Sequence, residues 1–138
     1  MASELKVDKF TGVTTAGSID VTGEGNSTTT NLQQGLLKSF MDLDGTGTIA
    51  FHDSFNMSSV ADNGTGIYTP SYTNIFANIN YLYCGMGETG TDAQNGRGLS
   101  AYSLAVLTSS IKIRTGTKSN NSAEDLPHNR LGCTGDLA

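Results

Sequence analysis

The chain is short of the residues from which most active sites are built. It has two cysteines, two histidines and eight lysines and arginines in 138 residues, and each shortage closes off a class of function. Cys84 and Cys133 are too few and too far apart for a thiolate metal centre. Without a secretion signal they are expected to be free thiols. Eight scattered basic residues against thirteen acidic ones, with a formal charge of -5 and a pI near 4.7, exclude a nucleic-acid surface, which needs clustered Lys and Arg to displace counterions from phosphate. No apolar run approaches the roughly 20 residues that cross a bilayer. The opening MASELKVDKF lacks the apolar stretch of a signal peptide, so a soluble chain without membrane insertion or export is expected.

What the chain has in plenty is Thr (18), Gly (17), Ser (14) and Asn (11), together 60 of the 138 residues. These types weaken helices and favour strands, turns and caps, so the composition predicts a mostly β fold. At 14.4 kDa the chain is large enough for one domain with a modest core. The four Asn-x-Ser/Thr triplets, at Asn26, Asn56, Asn63 and Asn120, follow from this composition and carry no weight.

The most specified stretch runs from Leu36 to Tyr72 and admits two readings. Asp42, Asp44, Thr46, Gly47, Ile49 and Asp53 fall on positions 1, 3, 5, 6, 8 and 12 of an EF-hand calcium loop. The same letters make hairpins: Asp44-Gly45 and Asn63-Gly64 are turn dipeptides that tolerate positive φ, each followed by Thr-Gly and flanked by β-branched and aromatic residues. Periodicity decides for the hairpins. Leu37, Ser39, Met41 and Leu43 alternate with Phe40 on the other face; then Ile49, Phe51, Asp53 and Phe55 alternate with Thr48, Ala50, His52 and Ser54, and period two is a strand signal. No helix fits after Asp53, no second loop exists, and position 12 is Asp where a bidentate Glu is usual. No metal and no cofactor are expected.

Along the chain, Leu5–Phe10, Gly12–Gly17 and Ser18–Thr22 read as short β-favouring pieces, and 23–31 as a loop or tail. Asn31 is placed to cap a helical turn over Leu32–Gly35. Residues 56–59 read as a turn, 60–62 as a short strand or a connection, and Ile67–Tyr72 as a strand with Tyr68 and Tyr72 on one face. Pro70 puts that strand at an edge or bulge. A looped helical turn is expected over 73–80, a core strand over 81–85 and a mobile loop over 85–98. Leu99–Leu107 and 109–115 form an antiparallel pair, 116–130 a polar loop and 131–138 a last strand through Leu131 and Cys133. The expected architecture is all-β, an antiparallel β-sandwich or barrel-like sheet with Gly-Thr-Gly hairpin turns. Residues 1–31 form an extended N-terminal attachment or oligomerisation segment, and 32–138 the sandwich.

The candidate chemistry is thin. His52 and His128 stand in no Gly-x-Ser-x-Gly or Cys-His context, and His52 and Asp53, as neighbours in a strand, are expected on opposite faces. Asp42, Asp44, Asp53 and Asp62 are the carboxylates from which a glycosidase pair about 5 to 10 Å apart would be drawn, but acidic turn residues serve local hydrogen bonds. Tyr68, Tyr72, Tyr81, Tyr83 and Tyr102 read as core and interface residues ahead of a sugar-stacking face. Lys112 and Arg114 read as a solvated strand face.

Asn31-Leu32-Gln33-Gln34-Gly35-Leu36, Asp44-Gly45-Thr46-Gly47-Thr48-Ile49, Asp53-Ser54-Phe55-Asn56-Met57-Ser58-Ser59, Asp62-Asn63-Gly64-Thr65-Gly66-Ile67-Tyr68-Thr69 and Asn78-Ile79-Asn80-Tyr81, taken in succession, resemble a module of virion structural proteins from marine tailed bacteriophages, especially those of cyanobacteria. Glu4-Leu5-Lys6-Val7-Asp8 and Gly135-Asp136-Leu137-Ala138 resemble the ends of such proteins. The likeness covers most of the chain and is weakest over 85–130. It implies a non-enzymatic virion component, tail-fibre-like or a surface appendage used in assembly and host attachment, with 44–49 as a hairpin turn and partner specificity in the weakest region. A capsid decoration protein and a carbohydrate-binding module are the alternatives. The implied partners are other copies of the chain as a homotrimer, other virion proteins and a host surface glycan.

Overall fold

The structure, a computed structural model, describes residues 4–12, 19–23, 28–88, 97–117 and 122–138, with the backbone alone for 97–104. The chain divides into two units, Met1–Leu36 and Leu37–Ala138. In the first, β1 (Asp20–Thr22) pairs antiparallel with β2 (Thr29–Asn31), and one helical turn, α1 (Leu32–Gly35), follows. The Gln34 amide donates to Asn31 Oδ1 at 3.1 Å, the cap that the sequence predicts. β2 corrects the loop or tail expected over 23–31, since the β-branched threonines at its start find partners in Val21 and Thr22. No strand forms over residues 4–12, and 13–18, part of the next expected piece, lie outside the described residues.

The second unit is all-β and antiparallel, with the sandwich-like or barrel-like character that the sequence predicts. Its strands are β3 (Ser39–Asp44), β4 (Ala50–Phe55), β5 (Met57–Asp62), β6 (Ile67–Tyr72), β7 (Leu82–Glu88), β8 (Arg97–Val106), β9 (Ile111–Thr117), β10 (Ser122–Ala123) and β11 (His128–Thr134). One sheet has the order β4-β3-β11-β7. The other runs β10-β9-β6-β5, with β8 also on β9.

Period-two alternation builds the core between them. Met41, Leu43, Leu131 and Cys133 come from the first sheet, Tyr68, Tyr72, Ile111 and Ile113 from the second, and Phe76 and Tyr81 from the connection. Phe76 stacks on Tyr81 at 4.1 Å, and Tyr72 meets both rings edge-on at 5.0 and 5.9 Å, the offset and T-shaped arrangements that ring quadrupoles favour. The Tyr72 hydroxyl donates to Tyr81 Oη at 3.3 Å, and the Tyr81 hydroxyl to the Leu107 carbonyl at 3.0 Å. Burial pushes both phenols and the Cys133 thiol above their ordinary values. Both cysteines are free, as expected. Cys133 stands opposite Tyr83 and faces the core, while Cys84 stands opposite Gly132, exposed on the other face of the sheet.

A single residue turns the chain from one sheet into the other. Between β4 and β5 stands Asn56, with φ 58°, alone among the described non-glycine residues in the left-handed region. Asn tolerates this region better than most residues, and here both polar atoms of its side chain are bonded. Nδ2 donates to the carbonyls of Lys38 and Asn74, both at 3.0 Å, and Oδ1 accepts from the Asn74 amide at 2.6 Å. The turn expected over 56–59 thus contracts to one residue, and β5 begins at Met57.

Other expectations are also corrected. Of the edge or bulge expected for Pro70, the edge fails, since β6 lies between β9 and β5, while the β5–β6 register does shift close by, between Met57 and Ser59. The ladder to β9 pairs Tyr68 with Ile113 and next appears as a bridge at Ser71–Ser110, so the missing amide falls in the interruption. No helical turn forms over 73–80, because the amides of Phe76 and Ala77 donate to Thr108 and Asp136 at 2.9 and 2.8 Å instead of to local carbonyls. The segment 81–85 is not a core strand: Tyr81 is buried, but Leu82–Gly85 are exposed. The loops expected over 85–98 and 116–130 are shortened, since β7 runs to Glu88, β8 starts at Arg97, β9 reaches Thr117 and β10 pairs with it; residues 89–96 and 118–121 lie outside the described residues.

Asn56→Ala places Cβ chemistry without local hydrogen bonds at positive φ and removes three side-chain bonds. It is expected to destabilise the second unit by about 2 to 4 kcal/mol in urea unfolding, with Asn56→Gly losing less; equal losses would remove the conformational part of the explanation. Iodoacetamide at neutral pH is expected to label Cys84 in the native protein and Cys133 only after denaturation, as read by peptide mass spectrometry. Native labelling of Cys133 would contradict its placement.

Candidate functional site

The outward face of the β4-β3-β11-β7 sheet collects side chains that lie far apart in sequence. Because Ser39, Met41 and Leu43 point inward on β3, Phe40, Asp42 and Asp44 point outward. On β11, Asn129, Leu131 and Cys133 are buried, which turns His128 and Arg130 outward. Register then aligns two rows across the sheet. The first contains Phe55, Phe40, Gly132 and Cys84, and the second Asp53, Asp42, Arg130 and Met86. Phe40 and Phe55 stack with ring centroids 6.2 Å apart. Leu37 covers Gly132, its Cδ1 lying 3.2 Å from where a Cβ would stand.

A bulge sets the charged end of this face. The register shifts between Asp42, opposite Asp53, and Leu43, opposite Phe51, so β4 carries one residue more than β3 spends. Parity changes there. Phe51 packs against the core, while His52 and Asp53 are both exposed. The expectation that these neighbours lie on opposite faces fails because strict alternation holds only in an unbulged strand.

His128 Nδ1 lies 3.1 Å from both carboxylate oxygens of Asp42 and donates to them. Arg130 Nε donates to Asp42 Oδ2 at 3.2 Å, and the Arg130 guanidinium also pairs with Glu88; Glu88 and then Asp42 hold that guanidinium above its ordinary value. His52 Nε2 donates to the Pro127 carbonyl at 3.0 Å and lies 3.9 Å from Asp44 Oδ2. The two imidazole centroids are 4.8 Å apart. The Asp44 carboxylate accepts from the hydroxyl and the amide of Thr46 at 2.6 and 2.8 Å, and these bonds, hydroxyl first, hold its carboxyl below the ordinary range. Asp53 Oδ1 accepts from the Ser54 amide at 2.8 Å. Like charges opposed across a ladder repel, and His128 and Arg130 offset that repulsion at Asp42.

Each carboxylate therefore holds a donor. The strip is a charge ladder beside the stacked Phe40–Phe55 pair. The EF-hand reading fails on secondary structure. Asp42 and Asp44 end β3, Asp53 lies in β4, and the two strands pair where an EF-hand needs helices. Among the described residues no group of three or more His, Cys, Asp or Glu is arranged to hold a metal. Asp62 lies in the other sheet, where its Oδ1 accepts from the Gly64 amide at 2.9 Å. Tyr68, Tyr72 and Tyr81 are core residues and Tyr83 is exposed; the Tyr102 side chain lies outside the described residues. Lys112 and Arg114 face away from the buried Ile111 and Ile113, as expected. Arg130 and Glu88 escaped the sequence reading, because no local signal marks a contact such as Arg130–Asp42, made across 88 positions. Compared with known protein families, curated proteins and solved structures, the chain matches none.

The low Asp44 value gives a pH prediction. A carboxyl depressed in the folded state stabilises above its unfolded value, and that contribution is lost as pH falls through the folded value. An NMR titration of the Asp44 side chain is expected to show a midpoint below the ordinary carboxyl range that moves up in Thr46→Ala. An unchanged midpoint would rule out the Thr46 bonds as the cause.

Proposed function

We propose that the protein is a non-enzymatic structural subunit of a bacteriophage virion, a tail-fibre-like or surface-appendage protein that works by assembling with copies of itself, as a homotrimer, and with other virion proteins. The observation that carries the reading is the set of large apolar side chains left in solvent on the β4-β3-β11-β7 sheet. Phe55 on β4 is 55% exposed and Met86 on β7, at the other edge of the sheet, 59%; Leu82 is still more exposed, Phe40 stacks on Phe55, and Leu37 covers Gly132. Large apolar side chains left exposed on one face beside charge mark a surface that binds protein. Here the charge is the Asp53–Asp42–Arg130 strip, which runs on into Met86 and sets the register of a partner without adding much affinity. The likeness of the glycine-rich turns to those of phage virion proteins supplies the context.

Host attachment through a glycan belongs to the same proposal, with the recognising residues in the region where that likeness is weakest. The aromatic residues that a sugar platform would use are largely spent in the core, since Tyr68, Tyr72 and Tyr81 are buried. That favours assembly as the main role of the described surface.

Mass photometry of the purified chain is expected to give a particle of three subunits, and Phe55→Asp with Met86→Asp is expected to shift it to smaller species while circular dichroism stays unchanged. A wild-type particle of one 14.4 kDa chain would overturn the reading. Labelling on phage particles under the electron microscope then separates tail from capsid.

A further inference from the structure

The hairpin turn between β5 and β6 holds a second piece of chemistry that lies apart from the sheet face. Asn63 and Gly64 are exposed, and Gly64 has φ 107°, a conformation open to glycine and strained for other residues. The Asn63 amide donates to the Ile67 carbonyl, and the Ile67 amide to the Gly64 carbonyl, both at 2.8 Å, which pins the backbone on either side. Two side chains converge on this dipeptide. Asp62 Oδ1 accepts from the Gly64 amide at 2.9 Å, and the Thr69 hydroxyl donates to Asn63 Oδ1 at 2.7 Å.

We propose that Asn63-Gly64 is a self-modifying site, at which Asp62 and Thr69 promote cyclisation of Asn63 to a succinimide and its hydrolysis to aspartate or isoaspartate. The roles follow from the contacts. The nucleophile is the Gly64 nitrogen, which lacks a shielding side chain on its own residue. Asp62 is the base already bonded to the proton that must leave. Thr69 donates to the carbonyl oxygen on which negative charge develops, the task of an oxyanion donor. In the first step the Gly64 nitrogen bonds to Asn63 Cγ and its proton passes to Asp62. The tetrahedral intermediate then breaks its Cγ–Nδ2 bond, and the proton passes to the departing nitrogen, which leaves as ammonia. Water opens the ring at either carbonyl. No reagent beyond water is needed, and the product carries one more negative charge beside Asp62.

An ordered hairpin ordinarily retards this reaction by holding the nucleophile away from the side chain, so the direction of the effect is diagnostic. Purified full-length protein is incubated at neutral pH, either native or unfolded in guanidinium, and conversion at Asn63 is followed by peptide mass spectrometry that resolves both aspartyl isomers. Asn95-Gly96 serves as the internal reference. Asn63 is expected to convert faster in the native chain than in the unfolded one. Asp62→Ser, which keeps an acceptor for the Gly64 amide but not a base, and Thr69→Val are each expected to slow native conversion about tenfold without changing the unfolded rate or the Asn95 rate. Slower conversion in the native chain, or native rates that neither variant reduces, would overturn the proposal.

Discussion

The hydroxyl of Tyr68 is the contact on which the two sheets depend. It is fully buried at the end of a β6 side chain, donates to Asp125 Oδ1 at 2.6 Å and lies 3.2 Å from the Gly45 carbonyl. The same Asp125 oxygen accepts from the Gly66 amide at 2.6 Å. The Gly45 amide in turn donates to Leu126 at 2.9 Å, and Asn129 Nδ2 to Leu126 and Leu43 at 2.8 and 3.0 Å. One phenol thus joins the turn of the β3–β4 hairpin, the turn of the β5–β6 hairpin and the segment leading into β11. Burial first, and Asp125 second, raise its ionisation above the usual phenol range. A hydrogen bond to a charged acceptor in such a place is worth about 1.5 to 3 kcal/mol.

This node also explains which glycines the turns need. A Cβ on Gly45 would run into the Tyr68 hydroxyl, and one on Gly66 would lie 2.6 Å from the Thr115 carbonyl. Positive φ belongs to Gly47 and to Gly64 and Gly66. Asp44-Gly45 therefore looks like a dipeptide chosen for conformation, yet Gly45 is there for space. With both turns anchored, the outward face of the β4-β3-β11-β7 sheet is presented on a fixed frame. Its exposed apolar side chains and its charge ladder are held on paired strands.

Much of the second unit was legible in the sequence because period-two alternation is read locally. Ser39, Met41 and Leu43, Tyr68 and Tyr72, and Ile111 and Ile113 all face the core as their spacing implies. The same reasoning failed where one residue breaks the period. The bulge opposite Asp42 put His52 beside Asp53 on the exposed side, and Asn56 replaced a four-residue turn by a single corner. The candidate face was less legible. His128–Asp42, Arg130–Asp42 and Arg130–Glu88 depend on which strands become neighbours, and β11 reaches β3 and β7 from the far end of the chain. No local pattern carries that pairing.

The central claim, that one buried hydroxyl holds both glycine-rich turns and so fixes the frame, is tested by amide hydrogen exchange in Tyr68→Phe. The predicted result is a joint loss of protection at the Gly45 and Gly66 amides while Ile113, within the β9 ladder, keeps its protection. Unchanged exchange at both glycines, or loss at one alone, would contradict it.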